Sequence, residues 1–345
     1  MSFAERVVDD LGGAFTVGLA YLGDKLGLFT ALAAHGPLGS AALAERTRLD
    51  ERYVREWLNA MVAARYVEHQ PDRGTYAMTS DQAAVLADEG GRAFAAGAFT
   101  FAIESLMLAG RLAGAFQHGG GIPFDELPSA IPAAIDRMHR PWFDHLLVQE
   151  WLAGVAGLTD RLARGARVLD VGCGLGLSTV AMARAFPASS FLGIDPHAPS
   201  IQRAHRRAAE AGLPNLTFAA SPVDALEADE FDLIVAIDTV HDMVDPVGAL
   251  RAMRRLLALG GMLFWSEPTG SREPLENRNP QARLRASLSP FHCLTVSMAA
   301  GGAALGTIIG EAGARDLAAA AGFTGFEKLP IPSPAQQFFL LGAHK

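Results

Sequence analysis

Cysteine is nearly absent from this 345-residue chain: Cys173 and Cys293 are the only two. Two thiols build neither a disulfide framework nor a metal-ligand cluster, so a reducing compartment fits and no metal site is expected. Positive charge is also short, with 29 Lys and Arg against 37 Asp and Glu, a formal net charge of −8 and a pI near 5.7. That balance argues against a nucleic acid or an anionic membrane as partner. The opening residues Met-Ser-Phe-Ala-Glu-Arg lack the charged-then-apolar plan of a secretory signal, which points to the cytoplasm.

No membrane span is expected either, although half of the residues are hydrophobic and mean hydropathy is +0.19. Residues 93–110 are apolar apart from Glu104, and 286–310 carries no charge over 25 residues. The second run holds Pro290, His292, three serines, two threonines and a Gly301-Gly302 pair. A helix of that composition cannot easily satisfy its own backbone in lipid. Both runs are expected as helices or loops buried between domains or subunits.

What the chain does have is a glycine turn. In Val168-Leu169-Asp170-Val171-Gly172-Cys173-Gly174-Leu175-Gly176-Leu177-Ser178 an apolar strand feeds three alternate glycines, and a helical pattern follows to Phe186. Glycine allows the unusual dihedrals of such a turn and lets a ligand approach the backbone. The helix start behind it offers unpaired N–H groups. The dinucleotide fingerprint needs its third glycine at the sixth position, where Leu177 stands. Asp170, two residues before the first glycine, suits a ligand with a positive group and suits a pyrophosphate badly. Phe191-Leu192-Gly193-Ile194-Asp195 is a second apolar strand ending in an acid, 19 residues after Gly176, placed to accept from ribose hydroxyls. A nicotinamide site and a purely structural glycine loop remain alternatives at this point.

The length suits two domains with ample core. Residues 1–90 read as a small helical domain with one hairpin: a helix over 4–22, Ser40 as N-cap of 41–46, Asp50 as N-cap of 51–65, and a wing folded at Pro71-Asp72-Arg73-Gly74. Such a winged helix raises the question of DNA. Eight Lys and Arg stand against thirteen Asp and Glu over these residues, so the phosphate-neutralising footprint is missing. The competing use is a homodimer, with the first helices burying their apolar faces across a two-fold axis.

Residues 91–165 read as a helical linker and substrate lid, broken at His118-Gly119-Gly120-Gly121-Ile122-Pro123, a flexible hinge. Within it His139, Trp142, Phe143 and His145 are candidate pocket residues, although an inter-domain packing helix accounts for them equally well. From 166 to 345 strand and helix alternate, with strands at 167–171, 191–195, 215–220, 231–237, 261–267, 324–329 and 337–343. That pattern is an α/β, Rossmann-like, mostly parallel seven-stranded sheet with its ligand at the strand C-termini. Asp170, Asp195, Ser221, Asp238, His241 and Glu267 all fall there. No internal repeat is evident.

The motif Asp170-x-Gly172-x-Gly174-x-Gly176 with Asp195 resembles the S-adenosylmethionine loop of class I methyltransferases. With the winged-helix region, His241-Asp242 after the fourth strand and Glu267 ending the fifth, the chain is similar to small-molecule O-methyltransferases of the plant caffeate type and their bacterial relatives. The stretches Pro290-Phe291-His292-Cys293 and Gly301-Gly302 resemble a bacterial group of winged-helix methyltransferases. The resemblance implies S-adenosylmethionine as cofactor, held by Asp170, Gly172, Gly174, Gly176, Asp195, Pro196, Ser221 and Asp238. It implies a small, apolar or aromatic acceptor, His241 as general base and Glu267 orienting it; His292 and Met298 then join the candidate pocket. One departure stands out: the family's Gly-Asp pair after the third strand is replaced here by Ala220-Ser221, leaving adenine to backbone groups or Asp224. Methylation by positioning alone and a ligand-sensing regulator are the alternatives. His292 and Cys293 alone are too few for a soft-metal site.

Overall fold

The computed structural model describes residues 1–227 and 230–342. Residue 343, the end of the last expected strand, and the end of the expected 166–345 domain lie outside the described residues. The chain divides into two compact units, 1–106 with 133–141, and 107–132 with 142–342. The stretch 91–165, expected as one linker, is thus shared between them.

The first unit begins with helix Phe3–Lys25, closed by a reciprocal cap in which the Glu5 N–H donates to Ser2 and the Ser2 N–H donates to Glu5. Helices Leu28–His35, Ser40–Thr47 and Glu51–Ala63 follow. Asp50 caps the last of these through the N–H groups of Arg52 and Tyr53. Ser40, expected as a cap, is instead the first helical residue, and its hydroxyl donates to Glu51 at 2.6 Å. A carboxylate acceptor makes the stronger bond and draws the hydroxyl away from the helix start. Strands β1 (Glu68–Gln70) and β2 (Thr75–Ala77) pair antiparallel as the wing. Trp57 anchors the core, stacked edge-on to Phe29 at 5.0 Å with its indole N–H donating to Leu19 O. Arg137 ties the 133–141 segment to this unit by forked bonds to Asp24 and Glu89. Along helix Phe3–Lys25, Phe3, Val7, Val8, Leu11, Phe15 and Leu22 are exposed.

The second unit is built on seven strands: β3 (Arg167–Val171), β4 (Ser190–Asp195), β5 (Leu216–Ala220), β6 (Phe231–Ile237), β7 (Leu257–Pro268), β8 (Glu327–Leu329) and β9 (Gln336–Gly342). Their order is β5-β4-β3-β6-β7-β9-β8, parallel except that β9 runs antiparallel to both neighbours. Both faces are covered, which explains the continuous apolar runs. Val168, Leu233, Val235 and Phe338 face one core with helices Leu177–Ala185 and Ala198–Ala211. Leu169, Ile234, Ala236 and Phe339 face the other, with helices Pro246–Leu256 and Gly310–Ala320. The strand order reverses between β3 and β6, so a crevice opens beyond their carboxyl ends.

No single helix among the described residues is long and apolar enough to cross a membrane, although two bent helix pairs reach that length and composition together. The apolar run 93–110 is broken between helices Gly97–Leu106 and Ala109–His118, and 286–310 into short helices and coil.

The expected hinge at 118–123 is corrected in part. Gly119 and Gly120 do take left-handed φ values, but Gly121 lies against helix Cys293–Ala299, where a Cβ would come within 1.9 Å of Thr295 O. Ile122 is buried and its N–H donates to Thr295 Oγ1 at 2.8 Å. A buried backbone donor so paired fixes the segment rather than freeing it. Gly121→Ala is therefore expected to destabilise the fold by about 1–3 kcal/mol through overpacking. Gly114→Ala, in helix Ala109–His118 with open space at its Cβ position, should stabilise by about 0.5–1 kcal/mol. Chemical denaturation of the two variants checks the opposite signs.

Candidate active site

The glycine turn leaves β3 and is held by its neighbours. Gly172 and Cys173 donate to Ile194 O on the adjacent strand. All three glycines have left-handed φ, but for different reasons. A Cβ on Gly172 would meet Thr239 and one on Gly176 would meet Phe218, whereas at Gly174 nothing lies within 4 Å. Gly174 is thus the position where the backbone stands open to a ligand. Two of the three glycines serve packing, and one serves access.

Acids surround the turn. Asp170 is buried at the tip of β3, and one of its oxygens accepts from Ser178 Oγ at 2.6 Å and Thr179 Oγ1 at 2.7 Å. Burial pushes its pKa up to about 6, against the pull of those hydroxyls. Asp195 ends β4, accepting from Gly174 N at 3.1 Å and His197 N at 2.8 Å. Burial raises its pKa as well, opposed by the same backbone donors. Pro196 is exposed between these two residues. Burial likewise pushes the Cys173 thiol up, which keeps it protonated and unreactive. Asp238 closes β6 with a left-handed φ of 56° while its N–H donates to Ser266 O on β7. Asp170 and Asp195 place two carboxyl groups at the turn, and this charge makes that end of the crevice a place for a cation.

Ser221 stands just beyond β5, with its N–H on Asp195 O and its hydroxyl donating to the Pro222 carbonyl at 3.0 Å. Asp224 is exposed on the short turn that follows.

Four residues past β6, a single helical turn (Val240–Asp242) carries His241 into the interior. Its Nδ1 lies 2.6 Å from Glu267 Oε2, both side chains being buried. The Trp265 indole donates to the other Glu267 oxygen at 2.7 Å. Alternation along β7 places Trp265 and Glu267 on one face, and this spacing lets one hold the other. The Nε2 atom of His241 turns toward Asp242 Oδ1, 3.4 Å away, and the Cys293 thiol. Burial alone would push the His241 pKa down; the carboxylates of Asp242 and Glu267 outweigh it and hold the value well above that of an ordinary histidine. Burial also raises the Glu267 pKa, against the pull of His241 and Trp265. The pair therefore keeps a proton between its members and leaves the second imidazole nitrogen to Asp242 and Cys293.

The other expected pocket residues divide. His292 is buried beside Cys293, with its pKa lowered by burial, and Met298 lies partly exposed on the same short helix, Cys293–Ala299. Trp142 and Phe143 pack on the core formed with Trp151, and the Arg285 guanidinium stands 5.9 Å from the Trp142 ring centroid. His145 is half-buried on the same helix end. His139 belongs to the first unit.

A residue not singled out from the sequence joins the two halves of the site. Phe124 stacks edge-on to His197 at 4.9 Å and to His292 at 6.2 Å, while Asp125 reaches His197 Nε2 at 3.3 Å. Phe124 thus spans from the acid-lined turn to the His241 side of the crevice. Its only sequence signal was its place directly behind the anchored Gly121-Ile122-Pro123 segment.

Comparison with known proteins agrees with this geometry. Residues 162–313 match the family described as a methyltransferase domain, and residues 13–88 match the Rv2258c-like winged HTH domain. A ubiquinone biosynthesis O-methyltransferase of Paracidovorax citrulli (strain AAC00-1) is 34% identical over 147 residues, which cover 42% of this chain and 56% of that relative. The chain thus spans little more than half the length of that curated relative. Human N-acetylserotonin methyltransferase, solved in complex with SAM, superposes with a TM-score of 0.72 at 17% identity, covering 100% of this chain and 99% of that one. A chain from Nostoc punctiforme PCC 73102, provisionally named an O-methyltransferase, gives a TM-score of 0.76 at 20% identity over 99% of both chains. Residues 162–313 are a methyltransferase domain of the class I S-adenosylmethionine-dependent fold, set behind an N-terminal winged helix-turn-helix domain.

Proposed function

We propose that the chain is an S-adenosylmethionine-dependent O-methyltransferase acting on a small, apolar or aromatic hydroxyl compound, with His241 as general base. The observation that carries this reading is the buried His241–Glu267 pair at 2.6 Å, set beyond the strand next to the glycine turn. The cofactor fits the residues present: Gly174 offers open backbone, Asp195 offers a carboxylate for ribose hydroxyls, and Asp170 and Asp238 bring carboxyl groups to the ends of β3 and β6. When bound, S-adenosylmethionine supplies an electrophilic methyl group on a sulfonium. Gly172 and Gly176 shape the turn that would hold it, Pro196 and Ser221 border the adenosine side, and backbone groups near Ser221 take the place of the missing acid.

With the cofactor bound, His241 Nε2 would accept the acceptor hydroxyl's proton and Glu267 would stabilise the resulting imidazolium through Nδ1–H; the methyl group would pass from sulfur to the hydroxyl oxygen, the sulfur keeping the broken bond's electron pair as a neutral thioether. Phe124 and His292 shield this step from water and favour an apolar acceptor. The dimer is part of the same reading. The exposed stripe Phe3, Val7, Leu11, Phe15 and Leu22 on the first helix is best covered by a second copy of the chain.

Each part of this reading has an expected outcome. His241→Ala should leave cofactor affinity nearly intact and lower turnover of a hydroxyl acceptor by about 10²–10⁴; undiminished turnover would show that positioning alone suffices. Because the active form is the deprotonated ring and its pKa is held high, kcat/KM should climb about tenfold per pH unit below that pKa and level off above it. The same profile in Glu267→Gln should have its rising limb at lower pH, with a reduced plateau; an unmoved limb assigns the titration to another group. Asp195→Ala should weaken S-adenosylmethionine binding by about 1.5–3 kcal/mol in calorimetry through lost charge-assisted hydrogen bonds. Finally, Leu11→Asp with Phe15→Asp should turn a dimer into a folded monomer by light scattering, whereas an unchanged mass would place the interface elsewhere.

A further inference from the structure

His241 Nε2, Asp242 Oδ1 and Cys293 Sγ converge so that all three atoms lie within 4.8 Å of one another. The His–Asp spacing is already 3.4 Å, close to the roughly 3.3–3.7 Å that two ligands of one tetrahedral zinc ion keep given their bond lengths. Cys293 is buried, and Asp242 Oδ1 is buried without a hydrogen-bond partner. The far nitrogen of His241 meets Glu267, and Glu267 is in turn held by Trp265. A carboxylate behind a histidine is the arrangement that fixes the tautomer of metal-binding imidazoles.

We propose that His241, Asp242 and Cys293 form a binding site for a soft divalent cation of the zinc class, and that its occupancy blocks the base. One nitrogen, one carboxylate oxygen and one thiolate select zinc over calcium or magnesium, which take oxygen ligands. Asp242 and the Cys293 thiolate balance the two positive charges, and the thiol proton, with the Nε2 proton of a protonated His241, leaves to solvent on binding. The cysteine closes by at most about an ångström to reach bonding distance. Three protein ligands leave a fourth position to water. The ion takes the Nε2 lone pair, so metal and hydroxyl proton compete for one atom. The blocking, unlike the binding, rests on His241 being the base.

Cobalt(II) tests the site independently of turnover. Titrated into the chelator-stripped full chain, it should give a near-ultraviolet thiolate-to-cobalt absorption with tetrahedral visible bands, saturating at one ion per chain and erased by zinc. Cys293→Ser should lose the near-ultraviolet band, and Asp242→Asn, nearer the surface and safer for folding, should weaken binding. Glu267→Gln should lower zinc affinity about 10–100-fold. Zinc should suppress turnover over the same concentration range in which it displaces cobalt. Absence of the band in wild-type protein that binds S-adenosylmethionine, or its survival in Cys293→Ser, overturns the site. Saturation with undiminished turnover leaves the site standing and overturns the blocking together with the base assignment.

Discussion

A carboxylate buried in the interior is costly unless a charged or hydrogen-bonding partner meets it there. Glu267 has two such partners, the imidazole of His241 and the indole of Trp265, one on each oxygen. That single contact orders much of this side of the crevice. It fixes the ring of His241, directs its second nitrogen toward Asp242 and Cys293, and joins the turn after β6 to the end of β7. The carboxylate of Asp242, together with that of Glu267, raises the basicity of the ring against its burial.

The sheet supplies the remaining constraint. Because β3 and β6 are neighbours at the reversal of strand order, the glycine turn and the helical turn bearing His241 emerge side by side. Thr239, next to that helical turn, presses on Gly172 so closely that no side chain fits there. The glycine turn and the helical turn bearing His241 are thereby held in one register. The segment 119–127 covers them, fastened through Ile122 to Thr295 and resting Phe124 between His197 and His292. Net charge works in the same direction: acids line the turn, and the winged region carries no basic excess for a polyanion.

Local features were legible in the sequence. The glycine turn, the acid ending β4 and the capped helix beginning at Glu51 each depend on residues within one short stretch, where spacing carries the information. The His241–Glu267 pairing was legible through family resemblance, since neither residue's neighbourhood announces the other across 26 positions. Contacts set by tertiary packing were not. Nothing around Asp242 signals that Cys293 comes to it, and the Gly119-Gly120-Gly121 run reads as flexible although the third glycine is pressed against a helix backbone. Ser40 shows a smaller version of the same limit, since its cap role depended on where Glu51 would arrive. Trp142 and Phe143 had the composition of a pocket and the position of core packing.

Where the sulfur of a bound cofactor lies relative to His241 decides whether that residue can serve as the base. The most direct test is a crystal structure of the complex with S-adenosylhomocysteine. It is expected to place the ribose on Asp195 and the sulfur facing His241 Nε2, with room between them for one hydroxyl oxygen. A nucleoside bound away from the glycine turn, or a sulfur screened from Nε2 by another side chain, would contradict it.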